Sequence, residues 1–324
     1  MPSRCRSIAA TVLFAITLAV IPLTGCGNDD LLGARLSIAG LINVPAAVSV
    51  QTNIVYAQRN GDALTLDLYR PTSYLPVLQI AQATPFVVVI HGGSWKSGDK
   101  GDVAEFAYDL AAHGIAAASI EYRLVGRSGG TFPAPVVDTL DAIDFLRSKA
   151  ADYNLDANRI GVMGVSAGGH LALMAGLPSD VSAFDPARTG PRGYAISAIV
   201  NIEGPTDFTV DPATYSSRQI KLVEGFLGKT IAEDADGSLR RAASPVMYAR
   251  ADGPPVLTIH GTIDGTVPFS QAELLQTALA NVGETHQFHP VVDMDHIPGA
   301  VWLGPWVQGY RGVYLDFLKT AMGN

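Results

Sequence analysis

The stretch "RIGVMGVSAGGHLALMAG", Arg159–Gly176, holds the pattern Gly-x-Ser-x-Gly at residues 164–168, and its flanks decide how the serine is used. The run before it, "RIGVMGV" (159–165), is apolar and strand-like, and "AGGHLALMAGL" (167–177) has helical character. A serine between a buried strand and a helix that starts at once sits on a sharp turn, its hydroxyl held out at the strand's carboxyl end. Gly164 and Gly168 leave room for the backbone to turn and pack there. A second string of the same form, Gly126-Arg127-Ser128-Gly129-Gly130, is followed by two prolines and no helix start before Pro135. Ser128 therefore reads as a loop serine, and Ser166 as the candidate nucleophile.

The rest of the chain repeats the strand-then-helix rhythm. "FVVVI" (86–90) is an apolar run bounded by proline and glycine, as in a strand buried on both faces. A helix over 102–114, a strand over 115–124 and a helix over 135–154 follow it. After the central stretch come a strand over 195–202, a strand over 254–261 and a helix over 270–283. A strand over 285–292 and a last helix near 309–322 complete the series. Before it, "IVYAQ" and "LTLDLYRP" flank Asn60-Gly61, a strong hairpin signal. Such alternation predicts an α/β fold: a mostly parallel central sheet of about eight strands with helices on both faces. Residues 207–253 lie between two sheet strands and exceed what a simple crossover needs, so they are expected to form a small cap insertion.

A serine hydroxyl is a weak nucleophile until a base takes its proton. Of the seven histidines, His296 lies just past the last strand, in "VVDMDHIPGA", placed to reach back over the strand ends. An imidazole in that role needs a carboxylate to fix its tautomer. Asp264 leaves a buried strand in "VLTIHGTIDGTVP"; Asp293 and Asp295 are its rivals by proximity. Asp295 adjoins His296, and neighbours on one loop rarely point at each other, so Asp264 is preferred. An oxyanion must also be held. "FVVVIHGGSW" ends a strand in His91-Gly92-Gly93, where backbone N–H groups can approach a developing alkoxide without a Cβ between. Gly92, Gly93 and Ala167 are the expected donors. The base should lose its proton near ~6.5 unless its surroundings shift it.

Composition narrows the alternatives. The 324 residues are 48% hydrophobic and 16% charged, in keeping with a globular chain with a large core. Lys and Arg are scattered, with no run longer than the pair Arg240-Arg241, and the formal charge is −8, so nucleic-acid binding has no footprint. At the front, basic "MPSRCR" and the apolar run "IAATVLFAITLAVIPL" read as a signal peptide over 1–25. "LTGC" (Leu23–Cys26) resembles a bacterial lipobox, with Cys26 as the lipidated residue. An ordinary secretory signal with a coincidental cysteine, or an uncleaved anchor, are the other readings. Removing Arg4 and Arg6 with the signal takes the charge from −8 to −10. The only other cysteine, Cys5, would go with the signal, which leaves the domain without a disulfide, thiol nucleophile or cysteine metal site. Residues 26–50 read as a tether and 51–324 as the catalytic domain.

"HGGSW" (91–95), "SIEYRL" (119–124), the stretch 132–172, "HGTIDGTVP" (260–268) and His296 together resemble the carboxylesterases of the α/β-hydrolase superfamily. The resemblance is to the group near the hormone-sensitive-lipase-like and bacterial feruloyl-esterase-like enzymes, and it covers roughly 52–320. It implies a triad in the order Ser166, Asp264, His296, an oxyanion hole at Gly92, Gly93 and Ala167, and no cofactor or metal. The chain departs from the pattern at Ser94, where a third glycine is usual, and beside His296, where the family often has glycine and this chain reads Asp295-His296-Ile297-Pro298. A long helical N-terminal cap is also missing. The expected activity is hydrolysis of a small-molecule carboxylic ester through an acyl-enzyme, by a protein exported to the cell envelope and held at the membrane through Cys26. No protein partner is expected. Amidase, peptidase or arylformamidase-like chemistry, a true lipase and a non-catalytic binding protein are the alternatives.

Overall fold

Strand β3 organises the sheet, and every residue of it, Thr84–Ile90, is buried. Such a strand must pack on both faces, and the computed structural model shows two cores, one on each side of it. Phe86, Val88 and Ile90 join one cluster, and Val87 and Val89 the other. The structure describes residues 47–59, 61–72, 83–127, 129–188, 193–296 and 309–323. The expected signal segment, Cys26 and Ser128 lie outside them.

A hairpin of β1 (Ala47–Arg59) and β2 (Asp62–Thr72) opens the order. After β3 come α1 (Ala104–Ala112), β4 (Ala116–Ile120), α2 (Ala134–Ser148) and the short α3 (Ala150–Tyr153). Next are β5 (Leu155–Val165), α4 (Ala167–Gly176) and β6 (Ala198–Ile202). Helices α5 (Ser217–Leu227) and α6 (Ser238–Ala242) precede β7 (Val256–Gly261). The chain ends with α7 (Ser270–Val282), β8 (His286–Val291) and α8 (Arg311–Met322). The eight strands form one sheet in the order β1-β2-β4-β3-β5-β6-β7-β8. Pairs β1–β2 and β2–β4 are antiparallel and the rest are parallel. This is the α/β-hydrolase fold.

Several boundaries differ from the sequence expectation. The strand expected over 115–124 ends at Ile120, and that expected over 159–165 begins at Leu155. Two further differences have a local physical reason. The tether was expected to run to residue 50, but β1 already begins at Ala47, where Val48 pairs with Pro71 and Val50 with Tyr69. Val48 and Val50 alternate with Ser49 and Gln51 there, but the alternation is short and lies on a half-exposed edge strand. The helix expected over 135–154 is two helices broken at Lys149, and Asn154 ends the second in a left-handed conformation (φ 55°). Among the described residues no helix is long and apolar enough to cross a membrane.

Parallel strands β3, β5, β6 and β7 all end on the same edge, where ligands of open α/β sheets bind. The residues just past those ends are His91–Gly93, Ser166, Glu203 and Asp264.

Candidate active site

Ser166 joins β5 to α4 with φ 55° and ψ −120°, a backbone state that L-residues rarely adopt. Its N–H donates to the Ile202 carbonyl at 2.7 Å, which ties the turn to β6. The flanking glycines are required by contact. A Cβ on Gly164 would lie 2.1 Å from the Gly168 oxygen, and one on Gly168 would lie 2.1 Å from the Ile90 oxygen. The strain, on the order of 1–3 kcal/mol, lifts the hydroxyl clear of both elements.

His296 spans the gap between this hydroxyl and the acid. Its Nε2 is 2.9 Å from Ser166 Oγ, and its Nδ1 is 2.7 Å from Asp264 Oδ2. Asp264 is held in turn: Oδ1 accepts the Thr266 and Val267 N–H groups at 2.8 Å each, and Oδ2 lies 3.2 Å from Nε2 of the buried His260. Burial opposes the Asp264 charge, but the histidine and backbone hydrogen bonds outweigh it and hold this carboxyl well below the usual range. His296 is subject to the opposite balance. Burial disfavours its cation, yet the Asp264 hydrogen bond and charge, with Glu203 and Asp295 beyond, raise its pKa above the ordinary value. The expectation of a titration near ~6.5 is thereby moved upward.

The rival acids do other work. Asp295 Oδ1 accepts the N–H of Gly265 at 2.9 Å and of His296 at 2.7 Å, so it joins the two loops that carry acid and imidazole. Asp293 takes a left-handed turn position (φ 58°).

Gly92 and Gly93 lie across the turn from Ser166. A Cβ on Gly92 would sit 3.1 Å from the Val165 oxygen and 3.3 Å from the Ser166 Cβ, closer than ordinary contact, so a side chain there would press on the serine turn. Among the described residues no acceptor takes the N–H groups of Gly92, Gly93 or Ala167. Ala167 is also the first residue of α4, whose N-terminal N–H groups and dipole favour negative charge. The loop is anchored from behind. Tyr122 stacks on His91 with centroids 4.3 Å apart, and its hydroxyl donates to the carbonyl oxygens of His91 and Gly92. Burial lowers the His91 pKa, and its Nδ1 lies 2.7 Å from the Gly92 oxygen. Arg123 follows Tyr122 and forms a bidentate pair with the buried Asp138 on α2.

Glu203, which no sequence motif marks, also belongs to this site. It is fully buried at the end of β6, with φ 53°. Its Oε2 stands 3.4 Å from His296 Nδ1, and Oε1 accepts the Gly261 N–H at 3.3 Å. A second carboxylate thus faces the imidazole from the neighbouring strand. The available signal was an acid immediately after the apolar run "AISAIVNI", the same kind of position that Asp264 holds after β7. Glu203, Asp264 and His296 bring three ligand atoms within 4.8 Å of one another, a spacing a metal ion could use. Nδ1 is already engaged by Asp264, however, and Nε2 faces Ser166. These contacts describe an imidazole set between an acid and a hydroxyl.

The segment 207–253 holds α5 and α6, and α5 borders the site. Its Gln219 donates to the Thr266 carbonyl at 2.8 Å, and Phe226 stacks on Trp95 at 4.3 Å. Between α5 and Ser166 lies a cavity of about 480 Å³ including its open mouth, walled chiefly by Trp95, Phe208, Leu222, Val223 and Val267. Behind it the imidazole of His170 is fully buried, and its pKa is lowered to about 4 by burial.

The BD-FAE family model matches residues 66–279. Esterase LipQ of Mycobacterium tuberculosis is 28% identical over 252 residues, which is 76% of this chain and 58% of that protein. A probable carboxylic ester hydrolase of the same organism, LipM, is 30% identical over 213 residues, 65% of this chain and 48% of its own. The chain thus spans about half the length of these curated relatives. Among solved structures, a truncated carbohydrate esterase from gut microbiota superposes with a TM-score of 0.71 at 26% identity, covering 86% of this chain and 98% of that one. The propionate-bound esterase Est2 of Thermogutta terrifontis gives 0.67 at 25% identity, covering 87% and 96%.

Proposed function

This chain belongs to the BD-FAE family, and on that premise we propose that it is a serine carboxylesterase that hydrolyses small-molecule carboxylic esters through an acyl-enzyme. The observation that carries the reading is the chain of contacts Ser166 Oγ–His296–Asp264, at 2.9 and 2.7 Å, beside three backbone N–H groups that no acceptor takes among the described residues. The esterase names of its relatives and structural neighbours support it.

Ser166 Oγ attacks the ester carbonyl while its proton passes to His296 Nε2. The carbonyl π pair moves to oxygen, and Gly92, Gly93 and Ala167 N–H groups hold that oxyanion. As the pair returns, the C–O bond to the alcohol breaks, and His296 gives its proton to the departing oxygen. A water then attacks the acyl-enzyme, losing a proton to His296. Collapse releases the carboxylic acid and returns the proton to Ser166. Asp264 keeps Nδ1–H directed and stabilises the imidazolium in both halves. The apolar walls from Trp95 to Val223 suit a short acyl chain.

We also propose export with lipidation at Cys26, supported by the basic start, the apolar run and "LTGC". The catalytic reading is tested with 4-nitrophenyl butyrate: wild type hydrolyses it, and Ser166→Ala loses on the order of 10⁶ in kcat. Near-normal turnover by purified Ser166→Ala would overturn it. An amide that turns over as fast as its matched ester would reassign the protein to the amidases.

A further inference from the structure

We infer that the ester accepted here carries an anionic group on the substituent that leaves the apolar cavity past Ser94 and Leu222. This rests on the esterase reading and concerns what that site selects. Beside the cavity at Ser166 lies a second, wider depression of about 920 Å³ including open solvent, and the two share Ser94 and Leu222 as walls. Among the described residues its charged lining is entirely cationic: Lys96 from the oxyanion-hole loop, and Arg218 and Lys221 from α5.

Charged side chains at a surface are ordinarily solvated and need no ligand, so the surroundings must decide. Among the described residues, none of these three cations has a carboxylate within 4 Å, whereas Arg59, Arg123, Arg188, Arg240 and Arg311 are all paired. The acids nearest in sequence are turned elsewhere. Glu224, one turn beyond Lys221, accepts the Ile231 N–H at 2.9 Å. Asp99, three residues after Lys96, accepts the Gly101 N–H at 2.7 Å. Three cations of one sign therefore converge on one depression without internal neutralisation, in a chain whose formal charge is −8. A net acidic protein repels anionic substrates at long range, so a local cationic rim beside the nucleophile would offset that repulsion where binding occurs. Arg218 and Lys221 also lie in the first half of α5, where the helix dipole adds potential of the same sign. Ser217 adds a hydroxyl to the same wall, which suits a carboxylate or phosphate better than an alkyl chain, while the Ser97 hydroxyl donates to the Gly93 carbonyl at 3.1 Å.

Two matched substrate pairs test this. On the alcohol side, 4-acetoxybenzoate is compared with its neutral methyl ester, following release of the phenol. On the acyl side, mono-4-nitrophenyl glutarate is compared with 4-nitrophenyl methyl glutarate, following nitrophenolate. The readout is the anionic-to-neutral ratio of kcat/KM. The ratio should exceed one in at least one pair, by roughly three- to tenfold, as expected of two or three screened charge contacts. It should fall in about 0.5 M NaCl, and the double variant Arg218→Gln/Lys221→Gln should bring it to one or below, with the melting temperature unchanged. The pair that shows the preference identifies which end of the ester occupies the depression. Ratios at or below one in both pairs, or a preference that survives the double variant, would overturn the inference while the neutral esters still turn over. No turnover of either neutral ester would instead remove the esterase reading, and this inference with it.

Discussion

Gly168→Ala should cripple catalysis through a single methyl group that touches no substrate. The added Cβ would be placed 2.1 Å from the Ile90 oxygen and 2.6 Å from the His91 oxygen. Ordinary contact needs about 3.4 Å, and both obstacles are backbone at the end of a strand paired on both sides. No rotamer change relieves the overlap, so α4 and the sheet edge must part by about 1 Å. That displacement falls on the two walls of the site, since Ser166 and Ala167 begin α4 and the Gly92–Gly93 loop leaves β3 at His91. A misplacement of about 1 Å costs on the order of 10²-fold in rate, and overpacking costs about 1–3 kcal/mol of stability. The assay is kcat on 4-nitrophenyl butyrate beside a thermal melt. Gly312→Ala is the control: it lies on α8 with nothing within 4 Å of its Cβ, and should leave kcat unchanged while stabilising by about 0.5–1 kcal/mol. If Gly168→Ala stays within threefold of wild type in kcat, the close packing claimed for this turn is wrong.

Asp264→Asn should lose on the order of 10⁴ in kcat, whereas Asp295→Asn, which joins two loops and faces no reacting atom, should lose far less; the reverse order would mean the acid is misassigned. The neutral form of His296 is the base, and Asp264 and Glu203 both favour its cation, so activity should rise with pH through an apparent pKa above the ordinary histidine value. Glu203→Gln removes one of those negative charges and should move the rise to lower pH, because less of the imidazole is then protonated there; an unmoved profile would deny Glu203 this influence. Mass spectrometry of the mature N-terminus should find a lipidated Cys26, and an unmodified terminus beginning at another residue would refute the lipoprotein reading without touching the esterase.

The sequence disclosed the parts of the site that depend on local chain geometry. A strand, a serine between glycines and an immediate helix can form only one kind of turn, so Ser166 was identifiable from residues 159–177 alone. Asp264 and His296 were legible because each follows a buried strand, and parallel strands deliver their carboxyl ends to one edge. The structure brings the three side chains together over sequence separations of 32 and 130 residues. Glu203 was not found because an acid after a strand has no local signature of facing an imidazole; that depends on β6 lying beside β7. The position of α5 was equally hidden. Its polar face and its capping box of Ser216 and Gln219 mark a helix, but its place beside the site comes from tertiary contacts, the Gln219 bond to the Thr266 carbonyl and the stacking of Phe226 on Trp95. The break at Lys149 carries no glycine or proline, and the alternation of Val48 and Val50 that opens β1 is too short to stand out from the residues before it.

The central claim is that Ser166 is the nucleophile, and covalent capture tests it most directly. A fluorophosphonate should add once per chain: the serine oxygen bonds to phosphorus, fluoride leaves, and the hydroxyl proton is lost through His296. Peptide mapping of the inactivated wild type should place the adduct on Ser166, and Ser166→Ala should take up none. Full inactivation with the adduct on Ser128 or any other residue, or labelling of Ser166→Ala at the wild-type rate, would contradict the account.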